Sequence, residues 1–124
     1  MKEAANQSFT ELEVWRQARN LKNEIKRLTT SFPQDEKFRL TDQIIRSSRS
    51  ITAVLAEGHG RYTSKDQLHF CTIARGSLSE TYNHLIDAMD CSYISREQLV
   101  YYKEQIDNVG RLLNGYITYL RKNI

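Results

Sequence analysis

Apolar residues recur along this chain every three or four positions, the spacing that lines one face of an α-helix. Val14, Ala18, Leu21, Ile25 and Leu28 form the first stripe, and Leu40, Ile44, Ser48, Ile51 and Leu55 the second. Cys71, Ala74, Leu78, Thr81, Leu85 and Met89 form the third. The fourth holds Leu99, Tyr102, Ile106, Val109, Leu113, Tyr116 and Leu120. Capping signals divide the stripes. Thr10 with Glu13, Ser64 with Gln67 and Ser95 with Gln98 each have the hydroxyl-x-x-Glu/Gln form of a capping box. Phe9 with Val14, and Ile94 with Leu99, are the matching apolar staples. The first helix is expected to end near Thr30, because Pro33 disfavours helical geometry at Phe32. The second is expected from about Asp35–Lys37 to Glu57, with Gly58 as its stop and residues 58–63 as a loop. The third runs to about Asp90 and the fourth to about Leu120. Four helices of about 20 or more residues, joined by short connections, define an all-α class. The architecture expected is an antiparallel up-down-up-down four-helix bundle.

With one proline and five glycines among 124 residues, the chain lacks the punctuation of a many-stranded fold. The expected organisation is a flexible N-terminal tail over residues 1–8 and one four-helix-bundle domain over 9–124. Met1 to Ser8 are polar, without the apolar core of a secretion signal, and no apolar run is long enough to cross a bilayer. Two cysteines, Cys71 and Cys91, show no paired spacing, which fits a reducing, cytoplasmic setting.

Charge adds a bias. The formal net charge is +3, but residues 1–65 hold 12 Lys/Arg against 8 Asp/Glu, and residues 66–124 hold 6 against 7. Arg16, Arg19, Lys22, Lys26 and Arg27 spread over the arc of the first helix opposite its stripe. Trp15 borders that arc and is placed to stack on a base or on Arg19. Arg61 and Lys65 flank the start of the third helix, where free amides favour an anion. These seven cations are the candidate nucleic-acid contacts. A solvated basic face and an ordinary capped turn are the alternatives.

Further apolar residues lie off the main stripes. Tyr101, Leu112 and Tyr119 share one side of the last helix, and Phe70 and Ile73 point away from Leu78 on the third. They are the candidate surface for self-association, against the alternative of a broad core edge.

Catalytic signals are weak. Asp66, His69, Glu80 and His84 fall within about 60° on the third helix at 100° per residue. No Glu-x-x-His is present, however, and polar side chains on a solvated helix face account for them. Cys71 lies in the apolar stripe, and Ser77 and Ser79 have no histidine at an obvious reach. Ala74, Gly76 and Ser77 fit a role in close helix approach. No catalytic residue, metal or cofactor is expected.

Phe9-Thr10-Glu11-Leu12-Glu13-Val14-Trp15 with Ala18 resembles the opening of the four-helix-bundle proteins named for intervening sequences of 23S ribosomal RNA genes. The likeness continues through Phe32-Pro33, Leu40, Gln43-Ile44 and Ser50-Ile51. It is strongest at Ala56-Glu57-Gly58-His59-Gly60-Arg61 and at Ile73-Ala74-Arg75-Gly76-Ser77-Leu78-Ser79-Glu80. Val54-Leu55 depart from it, where many relatives carry Asn before the Ala-Glu-Gly motif. The resemblance implies an antiparallel bundle assembling as a homopentamer, with no catalytic residues. A more distant likeness is to the accessory variability proteins of diversity-generating retroelements, basic pentamers that bind nucleic acid and a reverse transcriptase. The expected function is therefore a non-enzymatic homo-oligomer whose partners are its own copies and RNA, DNA or a nucleic-acid-binding protein, with no membrane. The alternative is a protein-binding adaptor or scaffold with no nucleic-acid role.

Overall fold

A computed structural model describes residues 8–124; the rest of the expected tail, residues 1–7, lies outside the described residues. Among these residues there are four α-helices and no strand: α1 Glu13–Thr29, α2 Leu40–His59, α3 Ser64–Asp90 and α4 Arg96–Arg121. Single 3-10 turns precede α1 at Phe9–Glu11 and α2 at Gln34–Glu36. Each helix packs on its chain neighbour, α4 closes onto α1, and the diagonal pairs stay apart. Between α2 and α3, Ser47 meets Thr81 and Ser50 meets Ser77, so the two run antiparallel. The architecture is the expected four-helix bundle.

Its core is the four stripes almost as patterned. Ile25, Ile44, Ile51, Leu85 and Ala18 are fully buried, with Val109, Leu113 and Leu120 nearly so. On α3 the burial shifts at the last turn, where Ala88 is enclosed and Met89 only half-buried. The α2–α3 seam is more polar than the others. Thr81 donates to Ser47 at 2.8 Å, and Ser50 and Ser77 are 2.9 Å apart. Hydroxyls satisfy one another there, so burying them leaves no orphaned side-chain polar atom among the described residues.

The helix starts correct the sequence in two places out of three. Ser95 and Gln98 form the full reciprocal box, with bonds of 3.0 and 2.8 Å. Thr10 does not cap α1. Ser8 accepts the Thr10 amide at 3.2 Å and closes the 3-10 turn, so α1 starts at Glu13 with no side-chain cap. Glu13 instead accepts from Gln17 one turn on. Phe9 turns its ring edge-on to Trp15, with centroids 5.1 Å apart.

On α3 the cap is one residue earlier than expected. The Thr63 hydroxyl accepts the Asp66 amide at 3.1 Å, and Ser64 is already helical. Thr63→Ala should therefore destabilise the fold by about 1 kcal/mol, and Ser64→Ala by much less. Urea midpoints of the two variants check this; equal losses would refute the assignment of the cap.

The start of α2 is also later than patterned. The Glu36 carboxylate accepts the Leu40 amide at 3.2 Å and the Tyr93 hydroxyl at 2.7 Å, fixing the turn before the helix. Donation by Tyr93, then by Leu40, holds the Glu36 carboxyl below the ordinary carboxylate range.

Gly58 does not end α2. The helix continues to His59 and is capped by Gly60, whose φ of −77° is right-handed. Gly58 is buried, and a Cβ built on it would lie 2.6 Å from the Cβ of Phe70. Its role is to let α3 approach α2 closely. Gly76, expected at such an approach, faces open space instead, where an added Cβ would meet no atom within 4 Å. Ser77 does lie in the seam.

Candidate nucleic-acid interface

The five cations of α1 divide into different surroundings. Arg16 donates through Nε to the Thr10 carbonyl at 3.0 Å and lies 3.8 Å from Glu13, bracing the entry turn. Arg19 sits over the Trp15 ring at 5.8 Å, so the expected cation–π contact forms within the chain. Arg27 leans towards α4, where its charge reaches Tyr101 and Tyr102. Lys22 and Lys26 face α2. There they share a recess with Asn23, Ile45, Ser48 and Arg49.

Arg49 is the addition the structure makes. In the sequence it is only a polar residue opposite the α2 stripe, and a helical projection of α2 alone cannot show what α1 brings beside it. Among the described residues neither Lys22, Lys26 nor Arg49 has an acidic partner, whereas Arg16, Arg46, Arg61 and Lys103 each do. The i,i+4 lysine pair is mutually repulsive, and Arg49 adds a third like charge. An anion is the complement this recess lacks.

Arg61 and Lys65 lie at the α2–α3 connection. Arg61 pairs with Glu57 at 2.9 Å and covers the Phe70 ring at 4.7 Å. Gln67 donates to the Arg61 carbonyl at 3.0 Å, so this turn is braced from within the chain. Lys65 is exposed.

The off-stripe apolar residues do not gather in one place. Tyr101 donates to Glu24 of α1 at 2.6 Å, putting it at the α1–α4 seam. Phe70 lies against Gly58 at the α2–α3 seam, on the other side of the ring. Tyr101, Tyr119 and Ile73 remain 43%, 40% and 40% exposed, and Leu112 is half-buried. A groove of about 520 Å³ between α3 and α4 is floored by Leu78, Tyr82 and Ile106 and edged by Arg75, Arg111 and the Lys103–Asp107 ion pair.

His84 is a correction: it is buried and not a surface residue. Because α3 packs on both α2 and α4, its buried face is wide, and Thr81, His84, Leu85 and Ala88 all fall within it. Glu80 meets the His84 ring at 3.1 Å. Among the described residues no three His, Cys, Asp or Glu side chains group as a metal site. Burial pushes the Cys71 thiol up to about 11, leaving it protonated and unreactive at neutral pH. Cys91 is exposed.

Four antiparallel helices with a continuous aliphatic core, and a basic excess on the first of them, define a small all-α bundle protein. The sequence model for the 23S rRNA-intervening sequence protein family matches residues 10–115. The chain belongs to that family. It is similar in structure to a protein of unknown function from the S23 ribosomal protein family of Bacteroides thetaiotaomicron, solved by crystallography. The two share 25% sequence identity with a TM-score of 0.77, over 85% of this chain and 95% of the other. No curated protein matches the sequence. The more distant likeness to retroelement accessory proteins gains no support from these matches. No helix among the described residues is long and apolar enough to cross a membrane.

Proposed function

We propose that this family member is a non-enzymatic, self-associating interaction protein that engages nucleic acid, or a nucleoprotein, through the basic surface of α1 and the adjoining face of α2. The observation that carries the reading is the trio Lys22, Lys26 and Arg49, three cations held together without a carboxylate. Arg16, Arg19 and Arg27 extend the positive surface along α1. Family resemblance supports a pentamer, and exposed Tyr101, Tyr119 and Ile73 supply apolar surface for it. Copies of a +3 chain pool their charge, and the fields of clustered charges add.

The test is a salt titration with structured RNA and duplex DNA, run beside light scattering. Binding in the micromolar range is expected at about 50 mM salt, with log K falling linearly against log salt. No binding at that salt removes the nucleic-acid reading. A strictly monomeric protein at high concentration removes the self-association.

A second reading, a protein-binding adaptor, is favoured by the groove between α3 and α4, whose apolar floor suits the apolar face of an amphipathic helix. On that reading, charge reversal at Arg19, Lys22 and Lys26 leaves partner capture unchanged, and a polar substitution at half-buried Tyr82 on the groove floor weakens it.

A further inference from the structure

We infer that the recess between α1 and α2 is a built site for one phosphate group, the unit that a nucleic-acid backbone repeats. The inference rests on the proposed function and gives it a place on the surface. Nonspecific electrostatics needs only scattered lysines. Here three cationic residues line one recess.

The recess has a volume of about 80 Å³ and is bounded by six residues, none of them acidic. That is room for a single tetrahedral oxyanion. Lys22 and Lys26 stand one helical turn apart on α1, and Arg49 reaches the same space from α2. Asn23 adds a neutral amide donor. Behind them Ser48 is buried and Ile45 half-buried, so the back wall is made of packed helix. The Ser48 hydroxyl donates to the Ile45 carbonyl at 3.1 Å, which fixes that wall. Two helices of one bundle therefore bring the three cationic side chains to one recess before any ligand arrives. Arginine supplies a planar fork suited to two phosphate oxygens, and the lysines act as point charges beside it.

The same three cations would behave differently as independent contacts. Each would then neutralise its own phosphate and release its own counterions. Converging on one phosphate, they release the counterions of one.

Two measurements on the full chain test this. In the first, inorganic phosphate is titrated into isotopically labelled protein, with sodium chloride holding the ionic strength constant. The Arg49 guanidinium and Asn23 amide signals should shift and saturate, and those of Arg16 and Arg111 should stay in place. Shifts that are equal across the surface, or that never saturate, overturn the site. In the second, the triple variant Lys22→Gln, Lys26→Gln, Arg49→Gln is compared with wild type in the nucleic-acid salt titration, folding being checked by circular dichroism. Per bound copy of the chain, the slope of log K against log salt should become shallower by about 1, as for one lost phosphate, and not by about 3. A change of about 3 overturns the single-phosphate site and leaves the nucleic-acid function standing. If wild type binds no nucleic acid, the proposed function fails, and the inorganic phosphate titration alone decides the recess: saturation keeps it as a free-phosphate site, and a flat response ends it.

Discussion

Ile51→Ala is expected to lower the unfolding free energy by about 2–5 kcal/mol, the range for truncating a fully enclosed aliphatic side chain. Ile51 has no exposed surface and sits mid-way along α2. What raises its importance is the composition of its neighbours. The buried face of α2 alternates aliphatic residues with Ser47, Ser48 and Thr52. These hydroxyls satisfy hydrogen bonds but bury little apolar area, so Leu40, Ile44, Ile51 and Leu55 supply most of the hydrophobic driving force of this helix. A domain of this kind is stable by about 5–15 kcal/mol, and the loss would consume a large share of that. Urea unfolding measures it, with half-buried Val54→Ala as the milder comparison. A loss below about 1 kcal/mol, at unchanged denaturant slope, would show that the core is not centred on this residue.

Gly58→Ala and Gly76→Ala should move stability in opposite directions. Alanine is ordinarily favoured over glycine inside a helix by about 0.5–1 kcal/mol. At Gly76 nothing lies within 4 Å of the added carbon, so the gain should appear in full. At Gly58 the new carbon would come within 2.6 Å of the Phe70 Cβ, a backbone-anchored atom that no rotamer change can move aside. The α2 and α3 backbones must then separate. Overpacking of this sort costs about 1–3 kcal/mol, enough to outweigh the helical gain. Thermal or urea midpoints of the two variants give the signs directly. A stabilised Gly58→Ala would mean that the helices are further apart than the structure places them.

These two glycines also show what a sequence hides. Gly58 near the end of an apolar stripe has the form of a helix stop, and Gly76 between Ala74 and Ser77 has the form of a contact point. Their roles differ only through Phe70, a neighbour nearly two α3 turns and a loop away from Gly58. Helix class, number and core stripes were legible because each depends on local periodicity. The Ser95 cap was legible too, because no second hydroxyl competes with it at the right spacing. At Thr63 and Ser64 two hydroxyls stand side by side, and at Ser8 and Thr10 they stand two apart, so local pattern alone picks the wrong one. His84 was hidden by the width of the buried face on a helix with two packed neighbours. The candidate site was half legible. Lys22 and Lys26 follow from the α1 pattern, and Arg49 joins them only through the pairing of α1 with α2.

The ring of helices carries a kinetic consequence. Three of its four seams join helices adjacent in the chain, across connections of four to ten residues, and short loops close quickly at little entropic expense. The seam between α1 and α4 is different, because the whole of α2 and α3 lies between its partners. Hairpin-like pairs can assemble locally, while the joint bridged by Tyr101 and Glu24 waits for everything else. That joint is expected to zip last during folding.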